Sequence, residues 1–247
     1  MFDKLFHPDR PSARLLAAAV TLATLTGCQA ISSTPQSQVR IIAASADTPS
    51  FDLYRGPNAV AFNLDFGTVT SYIPLSPGID TISAETAGTR QVLSSSKATL
   101  AASTQYTVLI GNSASSLQQL TLVDQSQPAP PGQIALRFID QATRVGAVDL
   151  YLVPSGQKLT AVAPLITGVL FSANTGYLNI PAGTYTLFVV PTGTAPVSAT
   201  AATYTSPQVN YAAGSARTII LIDQQLASSA GPQVISAEDY TPPNSTN

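Results

Sequence analysis

Arg40 and Asp52, with Tyr54 two places further on, recur as Arg137, Asp149 and Tyr151 at a constant offset of 97 residues. They are the most conspicuous polar groups in a chain of 247 residues of which only 10% are charged. An arginine and a carboxylate facing one another make a charge-assisted pair, and a tyrosine beside them adds a hydroxyl and a ring for gripping a polar ligand. Strand alternation puts Val39 and Ile41 on one face and Arg40 on the other, and sets Phe51 and Leu53 opposite Asp52 and Tyr54. If the two strands are neighbours, Arg40 meets Asp52 and Arg137 meets Asp149. A pair that fixes strand register weighs more than a ligand site built from Arg40, Asp52, Tyr54, Arg137, Asp149 and Tyr151.

Other chemistry is thin. The single histidine, His7, and the single cysteine, Cys28, both fall in the first 28 residues. The rest of the chain cannot supply a Ser-His-Asp triad, a Cys-His nucleophile, a histidine-ligated zinc or an internal disulfide. Asp47, Asp52, Asp65 and Asp80 raise calcium, which takes several loop oxygens, but they lack the Asp-x-Asp-x-Asp-Gly spacing of a compact loop site. Closing turns is the reading they favour, and no metal or cofactor is expected. A glycosidase needs only two carboxylates; here Asp65 and Asp80 have no counterparts in the second half. No catalysis is therefore expected, and the alternative is a polysaccharide-acting enzyme or its accessory carbohydrate-binding protein. Tyr54, Tyr72, Tyr106, Tyr151, Tyr177, Tyr185, Tyr204 and Tyr211 could stack on sugars, although tyrosines in strands are usually half-buried sheet residues. Setting aside the charges that precede Cys28 leaves eight Lys or Arg against eleven Asp or Glu with no basic cluster, so no nucleic-acid partner is expected.

The beginning of the chain reads as an export signal. Lys4, Arg10 and Arg14 precede Leu15 to Leu25, an apolar run interrupted only by threonine. Those eleven residues cover about half of a ~30 Å hydrocarbon core, too little for a permanent span. Leu25-Thr26-Gly27-Cys28 then resembles the bacterial lipobox, with residues 1–27 as the signal peptide and Cys28 as the lipidation site. A lipidated Cys28 also explains one cysteine without a partner. The membrane, reached through lipid on Cys28, is the expected partner, with an envelope polysaccharide or protein as a further one. Gln29 after the cysteine resembles the outer-membrane sorting pattern of Gram-negative lipoproteins, giving an extracytoplasmic, membrane-anchored location.

Residues 28–38 are polar and read as a tether. From Val39 the chain turns into short runs of Val, Ile, Leu, Thr, Tyr and Phe separated by Gly, Pro, Asn and Asp, with no sustained helical period. Strands are expected at Val39–Ala43, Phe51–Arg55, Val60–Leu64, Thr70–Leu75, Asp80–Glu85, Arg90–Leu100, Tyr106–Ile110 and Leu117–Val123. The chain also repeats. Val39-Arg40-Ile41-Ile42 matches Leu136-Arg137-Phe138-Ile139, Phe51-Asp52-Leu53-Tyr54 matches Val148-Asp149-Leu150-Tyr151, Tyr72 to Gly78 matches Tyr177 to Gly183 after a short insertion, and Ala101 to Ile110 matches Ala212 to Leu221. Two modules, 39–124 and 133–239, are thus joined by a Pro-rich stretch, 125–132, read as a semi-rigid spacer, and followed by a tail, 240–247. The fold class is all-β, two tandem immunoglobulin-like or transthyretin-like β-sandwiches after a signal peptide.

The run from Val39 to Tyr54, through Ala44-Ser45-Ala46-Asp47-Thr48-Pro49, is similar to the opening of a bacterial extracytoplasmic family catalogued only as a domain of unknown function. Tyr72 to Gly78 supplies that family's Tyr-x-x-Leu-x-Pro-Gly segment. The second copy departs from the pattern, with Asp140-Gln141-Ala142-Thr143-Arg144-Val145 in place of the Ala-Ser-x-Asp-x-Pro loop. The resemblance implies an envelope-tethered β-sandwich, often in tandem, and no established reaction. The expected function is a lipid-anchored cell-envelope protein with a binding, adhesive or structural role.

Overall fold

A computed structural model describes residues 35–225 and 231–243. The expected signal peptide, the expected lipidation site Cys28, and Gln29 lie outside the described residues, as do the last four of the tail.

In the first half, β1 (Ser37–Ala43), β4 (Ile73–Leu75), β7 (Gln105–Gly111) and β8 (Gln118–Val123) form one sheet in the order β4-β1-β7-β8. The other sheet, in the order β3-β2-β5-β6, comprises β2 (Phe51–Arg55), β3 (Asn58–Leu64), β5 (Gly78–Thr86) and β6 (Val92–Leu100). The second half repeats this order. Strands β9 (Gln133–Gln141), β12 (Asn174–Pro181), β16 (Ala216–Asp223) and β17 (Pro232–Tyr240) form a sheet in the order β12-β9-β16-β17. Facing it are β10 (Val148–Pro154), β11 (Ile166–Val169) and β13 (Gly183–Pro191), with β13 paired to both β14 (Tyr204–Thr205) and β15 (Val209–Tyr211). The opening strand of each module runs parallel to the last strand but one, β1 to β7 and β9 to β16.

Two sheets per half, of four strands each in the first half and of four and five in the second, bear out the expectation of tandem sandwiches. An immunoglobulin sandwich joins its first strand to the second, fourth and fifth; here the first strand shares a sheet with the fourth, seventh and eighth. Of the two topologies expected, the immunoglobulin-like one is therefore set aside and the transthyretin-like one stays.

Each opening strand is buried on both faces, which explains its almost continuous apolar sequence. Val39 and Ile41 point into the core of the first sandwich with Leu53, Ile82, Val108 and Ile110. Ile42 points the other way and packs with Leu109, Ile139, Ile220 and Ile222 in a cluster shared by the two modules. Burying a side chain of this size stabilises by roughly 1.5–3 kcal/mol, so this shared cluster is a substantial second core.

Three expectations change. The first strand starts at Ser37, inside the predicted tether, because the buried Ser37 hydroxyl donates to the Leu75 carbonyl at 2.8 Å. The expected strand at Thr70–Leu75 shortens to Ile73–Leu75, since Thr70 leaves the ladder to bond Ile41 through its side chain and its N–H. The Pro-rich stretch is more than a spacer: Ala129 is buried against Ala135 and Ala216, and the Gln125 N–H donates to the Tyr177 hydroxyl at 3.1 Å.

The longer connections of the second module also have a visible effect. Residues 159–161 and 199–201 form short 3₁₀ turns over the outer face of the β10/β13 sheet. There Leu159 is buried with Tyr151, Val153 and Val190, and Val162, Phe188 and Ala202 pack around them.

Candidate functional site

Arg40 does not meet Asp52, nor does Arg137 meet Asp149. Strand β1 pairs with β4 and β7 while β2 pairs with β3 and β5, so the strands lie in different sheets. Both side chains point away from the core that separates those sheets.

The arginines instead meet between the modules. Arg40 donates from Nε to the Thr107 hydroxyl at 2.8 Å, from one terminal nitrogen to the Glu238 carbonyl at 2.8 Å, and from the other to the Asp239 carboxylate. Arg137 repeats the set across the boundary, from Nε to Thr218 at 2.9 Å, then to the Val123 carbonyl at 2.9 Å and the Asp124 carboxylate at 2.5 Å. Each arginine thus holds a threonine of its own module, together with the aspartate of the other module and the carbonyl preceding it.

The aspartates complete a reciprocal lock. Asp124 also accepts from Thr107 at 2.6 Å and Tyr72 at 2.8 Å, and Asp239 from Thr218 at 2.7 Å and Tyr177 at 2.8 Å. The Tyr72 and Tyr177 rings lie 5.1 Å and 4.8 Å from the guanidinium carbons of Arg40 and Arg137. Arg40 and Arg137 are each 2% exposed, and Asp124 and Asp239 each 4%. Isolated charges at such depth would be prohibitive, and here each carboxylate is opposed by an arginine and by two hydroxyl donors.

The electrostatics follow from that geometry. Burial pulls the Arg40 pKa down, but the Asp239 and Asp124 carboxylates outweigh it and the guanidinium ends above its ordinary value. Burial and the carboxylate of Asp124 push the Tyr72 phenol up; burial and Asp239 do the same to Tyr177. Both phenols stay neutral donors. Such a site can fix two modules against each other, and its buried groups offer no open face to a ligand.

Asp52 and Asp149 have a matched task elsewhere. Asp52 accepts from the backbone N–H of Asn63 and Asp149 from that of Gly168, both at 2.8 Å. Asn63 and Gly168 have φ of 55° and 65°, and each follows a register shift in the neighbouring strand. The repeated aspartate closes a bulge. Tyr54 lies under the guanidinium of Arg90 at 4.3 Å, and Tyr151 belongs to the cluster beneath the 3₁₀ turns of the second module. The six residues singled out from the sequence therefore divide between the inter-module lock and the outer faces of two other sheets.

The remaining acids of the calcium question also serve separate places, Asp47 and Asp65 in loops and Asp80 within β5. Asp47 accepts the Ala114 N–H at 2.9 Å, Asp65 the Ser50 hydroxyl and Asp80 the Thr81 N–H at 2.8 Å, and Arg55 pairs with Asp80 at 3.3 Å. The bonds of Asp47 and Asp65 brace loops, and the Asp80 pair ties β5 to the end of β2.

Sequence reasoning missed Asp124 and Asp239. Thr107 with Thr218 and Tyr72 with Tyr177 lie in the aligned repeats, but 17 residues separate Thr107 from Asp124 and 21 separate Thr218 from Asp239. The longer connection between β16 and β17 breaks the offset that would have exposed the aspartates as a pair.

The fold and its lock define a tandem β-sandwich protein with a built-in module interface. The family model for the Domain of unknown function (DUF4397) matches residues 37–151 and 156–247, and the chain belongs to that family. The division between the two matched stretches falls inside the second sandwich, the first ending within β10 and the second beginning just past it. No curated protein matches the chain.

Proposed function

We propose that the protein is a lipid-anchored component of the cell envelope whose two sandwiches act as one rigid body in a non-catalytic binding or structural role. The observation that carries this reading is the lock. The charged groups repeated in both modules hold the modules together, which suits a body that keeps a fixed shape at a distance from a membrane. The lipobox at Leu25 to Cys28 supports the anchor, and Gln29 supports routing to an outer membrane.

Two measurements test it. Wild-type protein expressed in a bacterium should partition into the detergent phase of Triton X-114, and the Cys28→Ser variant into the aqueous phase; wild-type protein in the aqueous phase overturns the anchor. Residues 30–247 should then be passed over cell-wall, polysaccharide and envelope-protein fractions. Saturable retention on one fraction identifies a binding role. Absence of retention on all three leaves the rigid spacer, and turnover of any fraction overturns the non-catalytic reading.

A further inference from the structure

The lock is the same from both sides, so it cannot by itself tell one module from the other. Arg40, Thr107, Asp124 and Tyr72 would fit a second copy of their own module as well as they fit Arg137, Thr218, Asp239 and Tyr177. Much of the apolar part of the interface is equally even-handed, with Ile42 matched by Ile139 and Leu109 by Ile220.

One pair of positions breaks the equivalence. Gly111 is the last residue of β7, and Ala44 sits beside it, donating its N–H to the Ile110 carbonyl at 2.7 Å. The corresponding neighbours in the second module are Ile222 and Gln141, which are register partners on β16 and β9. The first module thus presents two small residues where the second presents two large ones. Across the interface the large side chain lies on the small one. A Cβ added at Gly111 would fall on the Gln141 amide oxygen and stand 3.0 Å from its Cδ and 3.2 Å from its Cγ. The contact runs along the Gln141 side chain as well as its tip, so a small shift of the amide would not make room. In the reciprocal position, Ala44 and Ile222 belong to one buried cluster.

Gln141 is 2% exposed, and among the described residues neither of its amide atoms has a hydrogen-bond partner. Such a group is costly to bury and weakens the docked state. A polar group retained at a cost in an interface is a known means of specifying which partner is accepted.

We propose that this sheet face is a directional docking surface: a module with small residues at the positions of Ala44 and Gly111 takes a module with large residues at the positions of Gln141 and Ile222 and rejects one like itself. Large facing large collides along the whole Gln141 side chain, and small facing small leaves a void. The partner that the surface fits is a module of this family of the opposite size class. The lock supplies orientation, and the size pair supplies identity.

The test uses residues 35–247 with a swap across the interface. Gly111 lies outside the left-handed backbone region, so a side chain there meets the interface without straining its own backbone. Gly111→Gln gives both modules a large residue. Its modules should undock, with a larger radius of gyration by small-angle X-ray scattering and loss of the single unfolding transition. The swapped double variant, Gly111→Gln with Gln141→Gly, should return both to wild type. A Gly111→Gln protein that stays compact with the wild-type transition overturns the proposal, and so does a double variant that remains open. If the single variant fails to fold, recovery or failure in the double variant still decides.

Discussion

At the scale of single residues, the lock makes an energetic statement that can be measured. Removing one partner of a buried ion pair leaves an uncompensated charge and costs about 3–5 kcal/mol, whereas replacing both with apolar groups costs far less. Arg40→Met or Asp239→Leu alone should each fall in that range in urea unfolding. The double variant should lose clearly less than the sum, leaving a coupling of more than about 1 kcal/mol. Additive losses would mean that the pair does not act as a unit. Asp140 is a second residue with a defined signature. Its side chain is wholly buried at the end of β9, one oxygen accepting the Ala142 N–H at 2.9 Å and the other without a partner among the described residues. Burial raises its pKa from 3.8 to about 6, with the Ala142 N–H opposing and the nearby Asp223 adding to the rise. Asp223 is itself held by the Thr143 hydroxyl and the backbone N–H groups of Thr143 and Arg144. A raised carboxyl binds more protons in the folded state than in the unfolded state between those two values, so stability falls as pH climbs through that window. Asp140→Asn should be more stable than wild type above pH 6, by roughly 3 kcal/mol or less, and should flatten the slope below it. Equal slopes in thermal melts of both proteins from pH 4 to 7 would contradict this.

At the scale of elements, the strands were legible and their neighbours were not. The alternation that sends Val39 and Ile41 to one side and Arg40 to the other is a local property of a strand, readable wherever apolar and polar residues alternate. Which sheet receives β1 and which receives β2 depends on pairings remote in sequence, such as β1 with β7. The short segment between β1 and β2 suggests a hairpin, and the chain instead crosses from one sheet to the other. For that reason Arg40 was read with the wrong aspartate. The repeat did carry true information about Asp52, since its counterpart Asp149 makes the same bond to a bulge. That element yields its own prediction. Asp52→Ala removes the acceptor of the Asn63 N–H, which belongs to an exposed residue, and should cost about 0.5–1.5 kcal/mol, the net worth of one hydrogen bond whose donor water can reach. Asn63→Gly should be neutral or better, because the second module already has Gly168 at the equivalent place and glycine adopts φ of 55° without steric cost. Asn63→Val should be destabilising, since a β-branched residue resists that conformation. Protection of the β3 amides from hydrogen exchange would report all three, and a stable Asn63→Val protein would rule out this account of the bulge.

At the scale of the whole molecule, the question is whether two modules behave as two. Each has its own core, around Ile41 and Val108 in one and around Leu150 and Val189 in the other, which would ordinarily permit independent unfolding. Against this stand the shared cluster of Ile42, Leu109, Ile139, Ile220 and Ile222, the cross-bonded arginines, and a connection anchored by Ala129 and Gln125. Separating the modules would expose several fully buried branched side chains and two ion pairs at once. The balance favours one cooperative unit. Residues 35–247 should therefore melt in a single calorimetric transition whose van't Hoff and calorimetric enthalpies agree. Because the ion pairs are buried, raising salt from about 0.05 to 0.5 M should barely move that transition, as screening acts mainly on exposed charges. Asp124→Asn with Asp239→Asn keeps the size of both side chains and removes their charge, leaving Arg40 and Arg137 unpaired in the interface. That variant should split the transition in two, with the separated cores melting independently. Two transitions already present in the wild type would mean that the interface orients the modules without coupling their stability.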